Sequence, residues 1–123
     1  MKTMYVLMSH TITEQQMNDA QSTLDVEKIV TLPTDIWSQI PAETESVESS
    51  LLPLKAQLAT YAKKGDVLLV QGDYGATFNM VQFAKEIGLV PVYATSERKA
   101  YEVVEGEKIT TVREFRHVRF RKY

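Results

Sequence analysis

Three short apolar runs in this chain each stop at a polar group. Met4-Tyr5-Val6-Leu7-Met8 gives way to Ser9-His10-Thr11, Asp66-Val67-Leu68-Leu69-Val70 to Gln71-Gly72-Asp73-Tyr74-Gly75, and residues 89–94 to Thr95-Ser96. Continuous apolar runs of this length, without alternation, suit strands covered on both faces, as in the middle of a parallel sheet. Residues 26–32 supply a fourth run, ending at Pro33.

Parallel strands need long crossovers, and helical patterns fill the gaps. Thr13-Glu14-Gln15-Gln16 has the form of a capping box, and Met17, Ala20 and Leu24 follow at helical spacing. Leu51, Leu54, Leu58 and Tyr61 recur at threes and fours, placing them on one helical face that ends at Lys63-Lys64-Gly65. Phe78, Val81, Phe83 and Ala84 predict a third helix closed by Gly88. Residues 34–50 are polar, acidic and interrupted by proline around Trp37, Ile40 and Pro41, and they predict no element. Residues 99–104 and 108–118 read as extended, joined by the Glu105-Gly106-Glu107 turn. The expectation is a single Rossmann-like α/β domain over residues 1–123: a mostly parallel sheet, flanking helices and a C-terminal antiparallel hairpin.

At 123 residues and 44% hydrophobic, the chain can build one core and has no material for a separate substrate domain. Any pocket then lies at the edge of that core or between two copies, which makes a homodimer the expected state. Absence of cysteine removes disulfides, thiolate nucleophiles and zinc ribbons. With no basic, apolar leader ahead of Met4, and residues 87–94 far short of the roughly 18 apolar residues of a membrane span, a cytoplasmic protein without membrane contact is expected. The formal charge of −2 argues against coating DNA, but it hides a polarity: residues 113–123 hold five basic side chains against Glu114 alone.

Ligands of open parallel sheets bind beyond the carboxyl ends of the strands, near helix N-termini. Three polar groups fall there: Ser9-His10-Thr11, Gln71-Gly72-Asp73-Tyr74-Gly75, and Thr95-Ser96-Glu97-Arg98-Lys99. His10 is suited to proton exchange near neutral pH, or is a loop histidine satisfied by backbone. Gly72 and Gly75 permit close backbone approach to a ligand; Asp73 either caps the following helix or accepts from a ribose hydroxyl or adenine amino group. Arg98 and Lys99 either contact phosphate or form a solvated strand end. His117, Arg119 and Arg121 alternate with Val118 and Phe120, giving a charged edge strand or a basic lip for an anionic ligand. No GxGxxG, Walker lysine or metal-ligand spacing is present, so neither cofactor nor metal is expected.

With those stretches assembled, the chain resembles a small CRISPR-associated family of the Csx series, the one catalogued as number twenty, found with type III systems. The matching stretches run from Tyr5 to Thr11, from Val70 to Ala76, from Pro91 to Thr95 with Glu97-Arg98-Lys99, and from His117 to Arg121. The resemblance implies a minimal CRISPR-associated Rossmann-fold (CARF-like) domain acting as a ring nuclease on cyclic oligoadenylate, most of all the tetra-adenylate. It carries over Ser9, His10, Gln71, Gly72, Asp73, Tyr74, Gly75, Thr95, Arg98 and Lys99 as site positions. Thr11 and Ser96 join them as ligand-binding neighbours. On that expectation a twofold dimer cradles the ring between paired pockets, His10 assists proton transfer, and Arg98 or Lys99 stabilises charge as a ribose 2′-hydroxyl attacks the adjacent phosphorus. A non-catalytic sensor or sponge for the same ligand, and an interaction protein using the basic C-terminal strand, are the alternatives.

Overall fold

Cover on both faces is what the apolar runs receive in the computed structural model, which describes residues 1–123. The elements in chain order are β1 (Lys2–Leu7), α1 (Glu14–Thr23), β2 (Val26–Thr31), α2 (Thr34–Ser38), α3 (Glu48–Tyr61), β3 (Val67–Val70), α4 (Tyr74–Glu86), β4 (Val90–Glu105) and β5 (Lys108–Lys122). They form one five-stranded mixed sheet in the order β2-β1-β3-β4-β5. The first four strands are mutually parallel and β5 runs antiparallel to β4.

Alternation along the strands separates two cores. Tyr5, Leu7, Leu68 and Val70 face one way, onto Leu51, Leu54 and Leu58 of α3 and Met80 and Ala84 of α4. Met4, Val6, Val67, Leu69, Val92 and Phe120 face the other way, onto Ala20 of α1. α1 touches both β2 and β5, the two edge strands, so the sheet curls around that helix. The capping box forms as its sequence requires: Gln16 N donates to Thr13 Oγ1 at 3.2 Å and Thr13 N donates to Gln16 Oε1 at 2.9 Å. At the opposite end of the sheet the buried Asp66 carboxylate accepts from Thr3 N at 3.1 Å and Lys63 N at 2.9 Å, pinning β1 to the start of β3.

Four sequence expectations need correction. Residues 95–98 are not a break between strands: β4 continues unbroken through them into the extended residues 99–104, because β5 supplies the backbone partners that β3 no longer offers. Its pairing with β3 ends at Val92, so β4 and β5 continue alone as a two-stranded arm with a bulge beside Thr95 and Ser96. Residues 34–38 form the short helix α2, too brief for periodicity to reveal, which buries Trp37. Tyr61 and Phe78 are exposed instead of joining their helices' buried faces, where Leu58 and Met80 already fill the core. No helix is long and apolar enough to cross a membrane.

Candidate functional site

In the parallel part of the sheet, β1 sends its connection to β2 on one side, while the chain returns through β3 on the other. The carboxyl ends of β1 and β3 therefore border the crevice where connections diverge, the usual ligand position in such sheets. Gln71, the first residue after β3, ties the rim together. Its N–H donates to Leu7 O at 3.2 Å, its side-chain oxygen accepts from Ala94 N at 3.0 Å, and its carbonyl accepts from Trp37 Nε1 at 3.0 Å.

On the α1 side of this rim lies a cavity of about 380 Å³, lined by His10, Thr13, Gln15, Gln16, Gln71, Ala94, Ser96, Phe115 and His117. Both histidines of the chain thus face one space. His10 is exposed at its mouth. His117 sits deep, with its side chain 5% exposed and its ring tilted by 50° against Phe120 at 4.8 Å between ring centroids. Its Nε2 lies 2.7 Å from Asp19 Oδ2 of α1, while Nδ1 is enclosed and has no partner. A carboxylate holding Nε2–H fixes the tautomer whose remaining nitrogen is free to accept, or to donate when the ring is protonated.

The structure divides the expected site residues. His10, Gln71 and Ser96 come together in this cavity, and Ser9 and Thr11 flank His10 on the exposed loop. Arg98 stands next to it, its guanidinium 5.5 Å from the centre of the Phe115 ring that forms part of the wall. Gly72 and Tyr74 open instead onto the α4 side, where with Gln71, Thr77, Phe78, Val81 and Tyr123 they line a second, more apolar cavity of about 360 Å³. Thr95 exchanges hydrogen bonds with the Arg119 backbone through its hydroxyl, and Lys99 lies 3.9 Å from Glu97 on the face of the arm turned away from Ser96.

Asp73 takes the capping role: its Oδ2 accepts from Ala76 N at 3.0 Å at the start of α4. Gly72 is required by packing, since a Cβ there would stand 2.5 Å from Trp37 Nε1. Gly75 has only Asp73 Oδ2 at 3.7 Å and is under no such constraint. Sequence reasoning gave His117 no proton-transfer role, reading it among the charges of a lip or edge strand. Its signal was its being the second of only two histidines, on the strand predicted to complete the sheet. Its partner Asp19 carried no signal, being one acidic residue on a helix surface. No three His, Cys, Asp or Glu side chains gather as a metal-binding group.

Comparison with known proteins extends over the whole chain. A protein of Methanocaldococcus jannaschii described as "Uncharacterized protein MJ1673" is 42% identical over 126 residues, covering 100% of this chain and 98% of its own length. No solved structure matches the chain. The sequence profile described as the uncharacterized protein MJ1673 family matches residues 2–121, and with that coverage the chain belongs to the MJ1673 family.

Proposed function

We propose that this protein is a metal-independent ring nuclease: a Rossmann-like, CARF-like domain that binds cyclic oligoadenylate, the tetra-adenylate above all, and cleaves it to end type III CRISPR signalling. In this reading it works in the cytoplasm as a homodimer, without cofactor. The family resemblance supplies the ligand. The observation that carries the chemistry is the presence of His10 and the Asp19-held His117 in one cavity at the carboxyl rim.

Cleavage of a ribose phosphodiester without water needs one group to take the 2′-hydroxyl proton and another to return a proton to the departing 5′-oxygen. The 2′-oxygen forms a bond to phosphorus as the bond from phosphorus to the 5′-oxygen breaks, leaving a 2′,3′-cyclic phosphate and a 5′-hydroxyl. Two imidazoles fit those two tasks. His10, exposed at the mouth, takes the proton, and His117, supported by Asp19, supplies one. Arg98 on the adjoining strand, with Arg113 on the same face of the arm, is placed to draw in a ring that carries one negative charge per linkage. Lys99, turned to the opposite face, has no part in this step. At about 380 Å³ the cavity lies at the small end of ligand sites, suited to one nucleotide and its scissile linkage rather than to a whole ring.

The sponge reading is favoured by one observation, the enclosure of His117 Nδ1, which must be uncovered by bound ligand before it can donate. A ring with 2′-deoxyriboses separates the two. A ring nuclease of this kind binds it and leaves it intact while cutting the ribose ring. Equal recovery of both rings intact identifies the sponge, and cutting of the deoxy ring identifies hydrolysis by water.

A further inference from the structure

The cavity on the α4 side of the rim has no part in the proton transfers above, yet three of the residues that line it are aromatic: Tyr74, Phe78 and Tyr123. Tyr74, Thr77, Phe78 and Val81 recur at threes and fours along α4, a stripe separate from the Ala76, Met80 and Ala84 stripe that fills the core. Tyr74 and Phe78 are nonetheless exposed by 95% and 62%. Tyr123, by contrast, is fixed: its N–H donates to Pro91 O at 3.1 Å, its hydroxyl donates to Val70 O, and its ring centre lies 4.9 Å from that of Tyr93. One aromatic wall is held still while two rings stand free. Thr77 adds an unused polar group. Thr23 and Thr60, also in helices, donate to the carbonyl four residues before them at 2.7 and 2.8 Å, whereas the Thr77 hydroxyl is enclosed and has no partner.

We infer that this cavity holds an adenine base of the same ring whose scissile linkage occupies the histidine cavity, the identity of the base resting on the reading of the ligand as cyclic oligoadenylate. The histidine cavity is sized for one nucleotide, so a ring of four leaves the other bases unheld. Gln71 lines both cavities, and a ligand that crosses the rim there passes from one to the other. A purine offers flat faces to Tyr74, Phe78 and Tyr123, and on its edge ring nitrogens and an amino group for hydrogen bonding. Threonine has two accessible side-chain rotamers in a helix, so rotation of Thr77 presents its hydroxyl to that edge. An aliphatic side chain from a protein partner would leave the hydroxyl unpaired. A quaternary ammonium ion would suit aromatic walls, but it too has nothing for the hydroxyl, and no carboxylate lines the cavity. The base thus anchors the ring on the face of the sheet away from the histidines, adding affinity without entering the cleavage step.

Binding measured apart from cleavage tests this site. Tyr74→Ala and Phe78→Ala, at exposed positions, should each weaken binding of the 2′-deoxy ring about tenfold. Both should leave the far-ultraviolet circular dichroism, and the single-turnover rate on saturating ribose ring, unchanged. Thr77→Val, which removes the enclosed hydroxyl at nearly constant shape, should weaken ring binding without lowering the melting temperature of the free protein; a hydroxyl with a purely structural role would do the reverse. Adenosine alone, at millimolar concentration, should shift the backbone amide resonances of residues 74–78 in the native protein. Equal affinity of the 2′-deoxy ring for the native chain and both aromatic variants overturns the subsite and leaves the ring-nuclease reading standing. A ring that is bound, loosened by these substitutions and never cut supports the subsite and removes the nuclease. Adenosine that moves none of these resonances, or tetramethylammonium that moves them in its place, overturns the subsite, and a native chain that binds no ring overturns it together with the reading on which it rests.

Discussion

Gln71 and Ala94 are joined across the rim of the sheet, the side-chain oxygen of the first accepting the backbone N–H of the second at 3.0 Å. β3 has ended at Val70, yet β4 continues, and the Gln71 amide stands in for the next residue of the shorter strand. That bond holds the wall of the cavity at the point where the arm departs. Gln71→Ala should therefore cost about 1–2 kcal/mol, the penalty of leaving a partly buried donor unpaired. Gln71→Glu, which keeps an acceptor, should lose less. Urea denaturation of the three proteins measures this, and an unchanged midpoint in the alanine variant would contradict it.

Gly72 and Gly75 should respond oppositely to alanine. A methyl group at position 72 meets the Trp37 indole at 2.5 Å, an overpacking that costs about 1–3 kcal/mol. At position 75, in the first turn of α4, alanine meets no tight contact and should be neutral or stabilising. Melting temperatures of the two variants check the contrast. In a Trp37→Phe background the cost at position 72 should shrink.

Asp19 and His117 clasp α1 to the edge strand β5, closing the curled sheet. Asp19→Ala leaves the His117 Nε2–H without its acceptor in a site where the imidazole is almost wholly enclosed. A loss of about 1–3 kcal/mol is expected, together with faster amide exchange in β5. Unaltered stability and unaltered exchange would show that the contact holds nothing in place.

Stability should fall at high pH through two tyrosines. Burial pushes the Tyr5 hydroxyl above its ordinary value, with the nearby Asp66 carboxylate adding to the shift. Burial does the same to Tyr123, with Tyr93 a smaller contributor, while its hydroxyl donates to Val70 O. A folded value above the unfolded one means that the unfolded chain releases its protons first. The favourable contribution is complete below about pH 10 and is lost as pH rises through the folded values. Thermal melts from pH 9 to 11.5 should show this decline, with a shallower slope in Tyr5→Phe and Tyr123→Phe; parallel slopes in all three proteins would count against it.

Much of this architecture was legible because local signals agreed with the fold. The runs at Met4-Tyr5-Val6-Leu7-Met8 and Val67-Leu68-Leu69-Val70 announced buried parallel strands, and Thr13 with Gln16 announced the start of α1. Position at strand ends was enough to bring His10 and Gln71 to one cavity, whereas Ser96 reaches it from within β4, which does not end there. What escaped notice depended on partners distant in sequence. Strand pairing, not local composition, keeps residues 95–98 extended, since β5 provides their hydrogen bonds. The Asp19–His117 contact joins residues 98 positions apart through the curl of the sheet, which no periodicity encodes. Gly72 looked like a ligand-binding glycine because the indole that needs its space lies in α2, a helix too short to announce itself.

The most direct measurement of the central claim is single-turnover incubation of the native protein with radiolabelled cyclic tetra-adenylate in EDTA, with products resolved by chromatography. The expected result is conversion to linear products ending in a 2′,3′-cyclic phosphate, slowed at least a hundredfold in His10→Ala and in His117→Ala, each shown to be folded. Intact ring after prolonged incubation, with or without added divalent metal, or cleavage at an unchanged rate in both folded histidine variants, would contradict the account.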